Sequence, residues 1–316
     1  MILITGSNGF LASYLVTQLE GKELILLDRG YMNHHQGHPF YPLEINGSAD
    51  YSTPLENCET IIHCAARVHI MDDLVEEPLG LYREVNTLGT LNLAKQAVAA
   101  GVKRFVFLSS IKVNGESSQT GKPFSSKDPR AAQDDYGISK SEAEEQLLKL
   151  AEETGLDVVI IRPTLVYGPG VKANFASLMS LVSKGIPLPF GFINDNQRSL
   201  VSVKNLVDLI ITCIDHPKAT NQIFLVSDDH DVSTSEMVSH MAIVLDKPTW
   251  QLPVPKWCYK LAGRLFGKQD VIDRLLGSLQ VDISHTKETL NWKPPQSLED
   301  GFKETADAFI ANKQHV

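Results

Sequence analysis

The stretch Ile2-Leu3-Ile4-Thr5-Gly6-Ser7-Asn8-Gly9-Phe10-Leu11-Ala12 decides the fold. A short apolar run meets two glycines and then an apolar helical pattern, which reads as a strand, a tight turn and a helix. The spacing of Gly6, Gly9 and Ala12 is GxxGxxA. Gly6 permits the turn, Gly9 lets backbone approach a diphosphate seated on the helix N-terminus, and small Ala12 allows close helix–strand packing. Asn8, Phe10 and Leu11 fall within the same expected dinucleotide contact. Glycines also mark ordinary turns, so the motif draws its weight from its place between strand and helix.

A second observation supports it. Asp28 ends the next apolar run, sixteen positions after Ala12, where an acid would meet the adenosine ribose hydroxyls. A carboxylate there repels a 2′-phosphate and favours NAD over NADP. Arg29 beside it offsets that preference, so NADP stays open. The plainer reading of Asp28 is a solvated turn aspartate.

Outward from this unit, short β-branched runs alternate with helical patterns, the signature of βαβ units. Strands are predicted at 2–5, 24–28, 61–64, 105–109 and 158–161, and helices at 11–19, 85–100 and 136–154. Gly101 stands where a helix C-terminus commonly takes glycine. The strands are apolar on both faces, as a sheet covered by helices on both sides requires. The expected fold is α/β, a Rossmann-type doubly wound parallel sheet with a smaller C-terminal substrate-binding domain. From about Gly170 glycine and proline become frequent, and regular alternation returns only at 199–203. A helix at 205–215 and a strand at 223–226 are read as rejoining the sheet. The tail from 235 to 309 reads as short helices broken by Pro253, Pro255, Pro294 and Pro295. The expected division is 1–170 with 199–226 for the cofactor, and 171–198 with 227–316 for the substrate.

Bulk properties exclude several classes. The 316 residues carry a net charge of −9, 43% hydrophobic and 21% charged residues, ordinary for a globular protein. The cations are scattered rather than striped, so no nucleic-acid partner is expected. The longest apolar stretches fall far below the roughly 18 residues of a membrane span, so no membrane partner is expected either. Met1 leads directly into the first strand with no basic leader before it, and the four cysteines show neither CxxC nor metal-ligand spacing. A cytoplasmic protein with reduced thiols and no metal is the expectation.

The chemistry is carried by three residues. Tyr136-Gly137-Ile138-Ser139-Lys140 sets a phenol and an ammonium at i and i+4, on one helix face. The lysine charge, the helix N-terminus and an oxidised nicotinamide each favour phenolate and would lower the tyrosine pKa toward neutrality. Tyr136 then serves as proton acceptor from a hydroxyl, and as donor in reverse. Ser110 follows the apolar strand Arg104–Leu108, at the carboxyl edge where doubly wound sheets bind ligands. A surface Tyr–Lys pair and a serine that merely ends a strand are the plainer readings of each alone. Glycine turn, strand-end serine and YxxxK in this order are far more specific together.

These residues and others resemble the extended short-chain dehydrogenases/reductases, especially their nucleotide-sugar epimerases, dehydratases and reductases. The resemblance runs through Gly6–Ala12, His63-Cys64-Ala65-Ala66, Val85-Asn86, Gly89-Thr90, Ser109-Ser110 and Val113-Asn114-Gly115. It continues through Tyr136–Lys140, the run from Arg162 to Pro169, Arg198-Ser199-Leu200-Val201 and Leu290-Asn291-Trp292. It implies a catalytic set of Ser110, Tyr136 and Lys140, with Lys140 also holding the nicotinamide ribose, and Ala65, Ala66 and Asn86 lining the cofactor. It further implies that Arg198 binds a substrate diphosphate, with Arg274 as a second ligand. Phe190 would meet a uracil ring and Asn174 the diphosphate or sugar, although core packing is the commoner fate of a phenylalanine. A homodimer through the helices at 85–100 and 136–154 is implied as well.

Departures from the family pattern narrow the reaction. The dehydratases carry Asp-Glu after the catalytic hydroxyl, where this chain has Ile111 and Lys112, so dehydration is not expected. Asn114 replaces the usual tyrosine of the Val-Tyr-Gly motif, a change nothing in the sequence explains. Three readings stay open: a UDP-hexose or UDP-N-acetylhexosamine 4-epimerase, an NAD(P)H-dependent reductase of a UDP-4-keto-6-deoxy sugar, and a non-catalytic NAD-binding sensor or scaffold. The segments 109–116 and 168–175 resemble O-antigen enzymes, among which the reductases occur, whereas Asp28 and retained NAD favour the epimerase. His34, His35 and His38 are read as a solvated loop rather than a zinc site. His63 and His69 are noted near the strand at 61–64, with His63 read as packed rather than basic. The run Glu142–Glu145 is read as the wet face of the catalytic helix.

Overall fold

Alternating side chains explain the central layer. Along β1 (Ile2–Thr5), Leu3 and Ile4 are both fully buried but belong to cores on opposite faces of the sheet. The same split separates Phe105 from Val106 in β5 (Arg104–Leu108). A strand buried on both faces needs helices on both sides. The computed structural model describes residues 1–316 except 33, 34, 36, 69–77, 120, 315 and 316, and omits the side chains of 173, 174, 270 and 314.

On one face lie α1 (Phe10–Gln18) and α6 (Val203–Asp215). On the other lie α3 (Thr90–Ala99) and α4 (Asp135–Thr154). Between them run β1, β2 (Leu24–Asp28), β3 (Phe40–Pro42), β4 (Thr60–His63), β5, β6 (Asp157–Pro163) and β9 (Gln222–Val226). These seven strands pair in parallel in the order β3-β2-β1-β4-β5-β6-β9. The order reverses between β1 and β4, which opens a crevice at the carboxyl ends of those strands, the usual ligand position in such sheets.

Local signals set several ends. Gly101 has φ +79° just past α3, and Gly155 has φ +78° past α4, conformations glycine adopts without a Cβ penalty. Arg104, at the start of β5, donates through Nη1 to the carbonyls of Cys213, Ile214 and His216, so a buried cation satisfies the last turn of α6. The predicted helix at 85–100 falls on a π-helical segment Arg83–Gly89 and α3, and a short α2 (Pro78–Tyr82) precedes it. The short strand β3 went unpredicted because three residues carry too little periodicity.

The second layer has its own sheet and core. β7 (Leu165–Tyr167) and β8 (Arg198–Ser202) pair in parallel, and β10 (Asp231–Val232) joins β8 antiparallel. Thus the run predicted at 199–203 belongs to this smaller sheet. Its core packs residues from α5 (Ala173–Val182), α7 (Thr234–Val244) and α11 (Leu298–Gln314) around Tyr167. α8 (Lys256–Leu265), α9 (Gln269–Leu276) and α10 (Ser284–Leu290) complete the chain. The tail is less fragmented than its prolines imply, since α11 runs 17 residues.

One buried carboxylate ties the layers together. Asp228 accepts hydrogen bonds from the Tyr167 hydroxyl at 2.7 Å, the Ser202 amide at 2.8 Å and the Asn205 amide side chain at 2.7 Å. Burial pushes the Asp228 carboxyl above its ordinary value, and these three donors oppose that rise.

Candidate active site

The glycine turn after β1 is built for close approach. Gly6 has φ +68°, and a Cβ there would sit 2.7 Å from the Ala65 backbone. Its position therefore admits only glycine without displacing the loop that follows β4. Gly9 is the N-cap of α1, no side chain caps that helix, and its first turn holds no acid. The Gly9 amide donates to the Gly6 carbonyl at 2.8 Å, which leaves the amides of Phe10, Leu11 and Ala12 and the positive dipole end for the crevice. Asp28 accepts from the Asn8 amide at 2.9 Å and the Arg29 amide at 2.7 Å, so the end of β2 is pinned to the turn. Asn8 Oδ1 is buried and has no hydrogen-bond partner among the described residues. A bare helix N-terminus, a cradle that a Cβ would fill and a carboxylate beside it fit a dinucleotide.

His63 stiffens this cradle. It is fully buried on β4, 2.6 Å from the Thr5 hydroxyl through Nδ1 and 2.9 Å from the Thr90 hydroxyl through Nε2. Thr90 donates to the Asn86 carbonyl, so it accepts from His63, which places the proton on Nε2. Thr5 in turn accepts from the Ala65 amide. Burial, helped by the Lys140 charge, drives the His63 pKa down to about 3, so the ring stays neutral. It is a structural histidine, packed rather than basic, as expected from its place beside the strand end.

The three expected catalytic residues sit on β5 and α4. Ser110 follows β5, and its hydroxyl accepts from the Lys112 amide at 3.3 Å, capping a short 3-10 turn at Ile111–Val113. Tyr136 and Lys140 lie in the first turns of α4, which Asp134 caps by accepting from the Gly137 amide at 2.7 Å. Lys140 is 1% exposed, donates to the Leu108 carbonyl at 2.7 Å and lies 4.5 Å from the Phe107 ring centre. Burial lowers its pKa to about 8 against the opposing pull of Cys64 and Glu144.

Tyr136 corrects an expectation. Its phenol is pushed above the ordinary value, by burial first, then by the Asp134 carboxylate and Tyr82, whose ring meets it edge-on at 6.3 Å. The protein's own groups disfavour phenolate here, because a buried anion beside another anion is doubly penalised.

Two further corrections concern charge and histidine. Glu144, within the run read as solvent-facing, is fully buried and pairs with Arg162. Only Glu142 and Glu145 reach outward, toward Arg83 and Arg130. Ser109 donates to Glu144 at 2.5 Å, and Arg162 also donates to Asn114 Oδ1 at 2.8 Å. That contact explains Asn114, which a tyrosine could not replace as an amide acceptor. His35 is likewise buried rather than solvated: it stacks on Phe40 at 4.6 Å and shares a 3.0 Å hydrogen bond with Ser7. His34 and His69 lie outside the described residues. Among the described residues no His, Cys, Asp or Glu group is arranged for a metal, and the four cysteines are unpaired.

The remaining expected contacts divide. Asn86 is fully buried in the π-helical segment, with its amide spent on the Arg67 backbone and the Ser139 hydroxyl. It therefore ties the loop after β4, which carries Ala65 and Ala66, to α4. Arg198 and Arg274 come together: Arg198 donates to the Arg274 carbonyl at 2.5 Å. Burial and the Arg274 charge both lower the Arg198 pKa. Phe190 is buried in the second core. Asn174 stands at the start of α5, and its side chain lies outside the described residues.

A family model described as the NAD-dependent epimerase/dehydratase family matches residues 2–227. The chain belongs to that family. A UDP-glucose 4-epimerase of Vibrio cholerae is 65% identical over 312 residues, 98% of this chain and 95% of that protein. The fold matches a UDP-glucose 4-epimerase of Thermotoga maritima solved with UDP-glucose, at TM-score 0.77 and 22% identity over 99% of both chains. It also matches a UDP-glucuronic acid 4-epimerase of Bacillus cereus solved with NAD, at TM-score 0.79 and 18% identity over 98% and 99%.

Within this epimerase/dehydratase frame, the residues that sequence reasoning missed are supports rather than reactants. Lys112 pairs with Asp134, the cap of α4, and reaches Glu116 at 3.2 Å. It thus links the Ser110 turn to the helix that carries Tyr136. The signal was present as a lysine where the dehydratases hold an acid, but its partner lies 22 residues on.

Proposed function

We propose that this enzyme is an NAD-dependent 4-epimerase of UDP-hexoses, with UDP-N-acetylhexosamines in the same substrate class. The observation that carries the reading is the near full-length 65% identity to a UDP-glucose 4-epimerase, in a chain that keeps Ser110, Tyr136 and Lys140.

Gly6, Asn8, Gly9, Phe10 and Leu11 would hold the diphosphate of NAD on α1, and Asp28 with Arg29 its adenosine ribose. Ala65, Ala66 and Asn86 shape the wall beside it. When bound, NAD supplies the hydride acceptor and donor at C4 of the sugar. Tyr136 takes the C4 hydroxyl proton and later returns it, while Ser110 holds the reacting oxygen by a hydrogen bond. The upward push on the phenol requires a compensating positive charge. An oxidised nicotinamide and the Lys140 ammonium are the cations the site can bring to it. Burial and the Arg274 charge weigh on the Arg198 guanidinium, with Glu116 opposing them, and a bound anion would add to that relief, which suits the UDP diphosphate. Asn174 and Phe190 complete the proposed substrate contacts. In this account residues 1–170 with 199–226 are assigned to the cofactor and 171–198 with 227–316 to the substrate, with β7 and β8 crossing into the smaller sheet.

Epimerisation is favoured over dehydration because Lys112 is committed to Asp134 and Glu116, with no acid pair beside Ser110. We also propose a homodimer through α3 and α4. Replacing Tyr136 by Phe tests the mechanism: turnover of a UDP-hexose should fall by about 10²- to 10⁴-fold with NAD still bound. Near-normal turnover in Tyr136→Phe would remove Tyr136 from the reaction.

A further inference from the structure

The chain is acidic overall, yet residues 247–268 hold five cations (Lys247, Lys256, Lys260, Arg264 and Lys268) and no Asp or Glu. The same stretch carries two of the three tryptophans, Trp250 and Trp257. On α8, Trp257, Leu261 and Leu265 recur at i, i+4 and i+8, and they are 66%, 51% and 73% exposed. Phe266, just past the helix end, is 77% exposed. Lys260 and Arg264 stand four residues apart on an adjoining stripe of α8, Lys268 follows just past the helix end, and all three are exposed. No carboxylate among the described residues lies within ion-pair distance of these three. The opposite side of α8 is anchored, because Tyr259 and Gly263 are buried and Gly263 packs closely on Ile272 of α9.

A helix anchored on one side thus presents an apolar stripe flanked by unneutralised cations, with a tryptophan at one end. We propose that α8 seats the protein on an anionic phospholipid bilayer, lying in the plane of its surface. Apolar side chains enter the acyl boundary while neighbouring lysines and arginines meet lipid phosphates, and tryptophan favours that interface. Among the described residues no helix is long and apolar enough to cross a membrane, but lying against a bilayer needs no such helix. A second copy of this chain is the poorer occupant, since it would bring the same cations, without acids, to the same seam. Through α9, this face lies one helix from Arg274, whose carbonyl receives Arg198.

The test is co-sedimentation of the full-length protein with phosphatidylethanolamine vesicles, with and without phosphatidylglycerol. The protein should pellet with the phosphatidylglycerol vesicles and release as salt is raised. Lys260→Ala with Arg264→Ala should weaken that partition on the order of thirtyfold, taking about 1 kcal/mol per cation near such a surface. Leu261→Ser with Leu265→Ser should abolish pelleting with an unchanged thermal midpoint, which shows the fold intact. Tryptophan emission should shift to the blue on vesicles in the parent and less in Trp257→Phe. Failure of the parent protein to pellet with anionic vesicles would overturn the proposal. So would pelleting that neither double variant alters, or a vesicle-independent dimer that Leu261→Ser with Leu265→Ser splits. None of these readouts involves turnover, so the result stands apart from the epimerase reading.

Discussion

The Arg162 guanidinium holds both oxygens of the Glu144 carboxylate, Nε to Oε1 at 2.9 Å and Nη2 to Oε2 at 2.5 Å, with neither side chain more than 1% exposed. The pair joins α4 to β6 directly beneath Ser109, the neighbour of Ser110. Removing one partner strands a buried charge, which costs far more than the pair itself contributes. Glu144→Gln should therefore destabilise the fold by about 3–5 kcal/mol in urea unfolding. Glu144→Leu combined with Arg162→Met should cost less than either single change. A single variant as stable as the parent would show that the charge is not sealed.

His63 makes a pH prediction. Its pKa falls from 6.5 to about 3 on folding, so between those values the unfolded chain binds a proton that the folded chain refuses. Stability from this site is therefore present above pH 6.5 and is lost as pH falls toward 3. The full window is worth roughly 5 kcal/mol. His63→Gln should flatten the stability profile by up to one proton there, read by urea unfolding at stepped pH. An unaltered slope would mean that another group carries the acid sensitivity.

Gly6→Ala forces a Cβ to within 2.7 Å of Ala65 at a backbone angle alanine disfavours. The strain is roughly 1–3 kcal/mol, and it falls on the cradle itself. NAD affinity should drop about tenfold or more in a cofactor titration, because relief of the clash moves the Ala65 loop. Retained affinity would place the dinucleotide elsewhere.

Asp28→Ser removes the carboxylate that disfavours a 2′-phosphate and leaves Arg29 in place. The NADP-to-NAD affinity ratio should rise about tenfold. If the ratio stays fixed, Asp28 does not face the ribose.

The parts legible in the sequence were those written locally. Gly6, Gly9 and Ala12, the Tyr136–Lys140 pair and the apolar strands each announce themselves within a few residues, and the sheet follows from their alternation. What stayed hidden depended on partners far along the chain. Glu144 stands between Glu142 and Glu145 on a helix, so its pattern looks wet until Arg162 arrives from β6. His35 reads as one of three loop histidines until Phe40 stacks on it. The upward push on the Tyr136 phenol was hidden as well, because burial above all, with Asp134 and Tyr82 adding to it, comes from the folded surroundings and not from the Tyr136–Lys140 spacing.

The most direct measurement is proton NMR of UDP-glucose, and separately of UDP-N-acetylglucosamine, incubated with the purified protein and only a trace of NAD. The account predicts that the C4 epimer of at least one of the two appears and approaches equilibrium without net consumption of cofactor. No C4 epimer from either substrate, with NAD firmly bound, would contradict the assignment and turn attention to a reductase that needs a 4-keto substrate made by another enzyme.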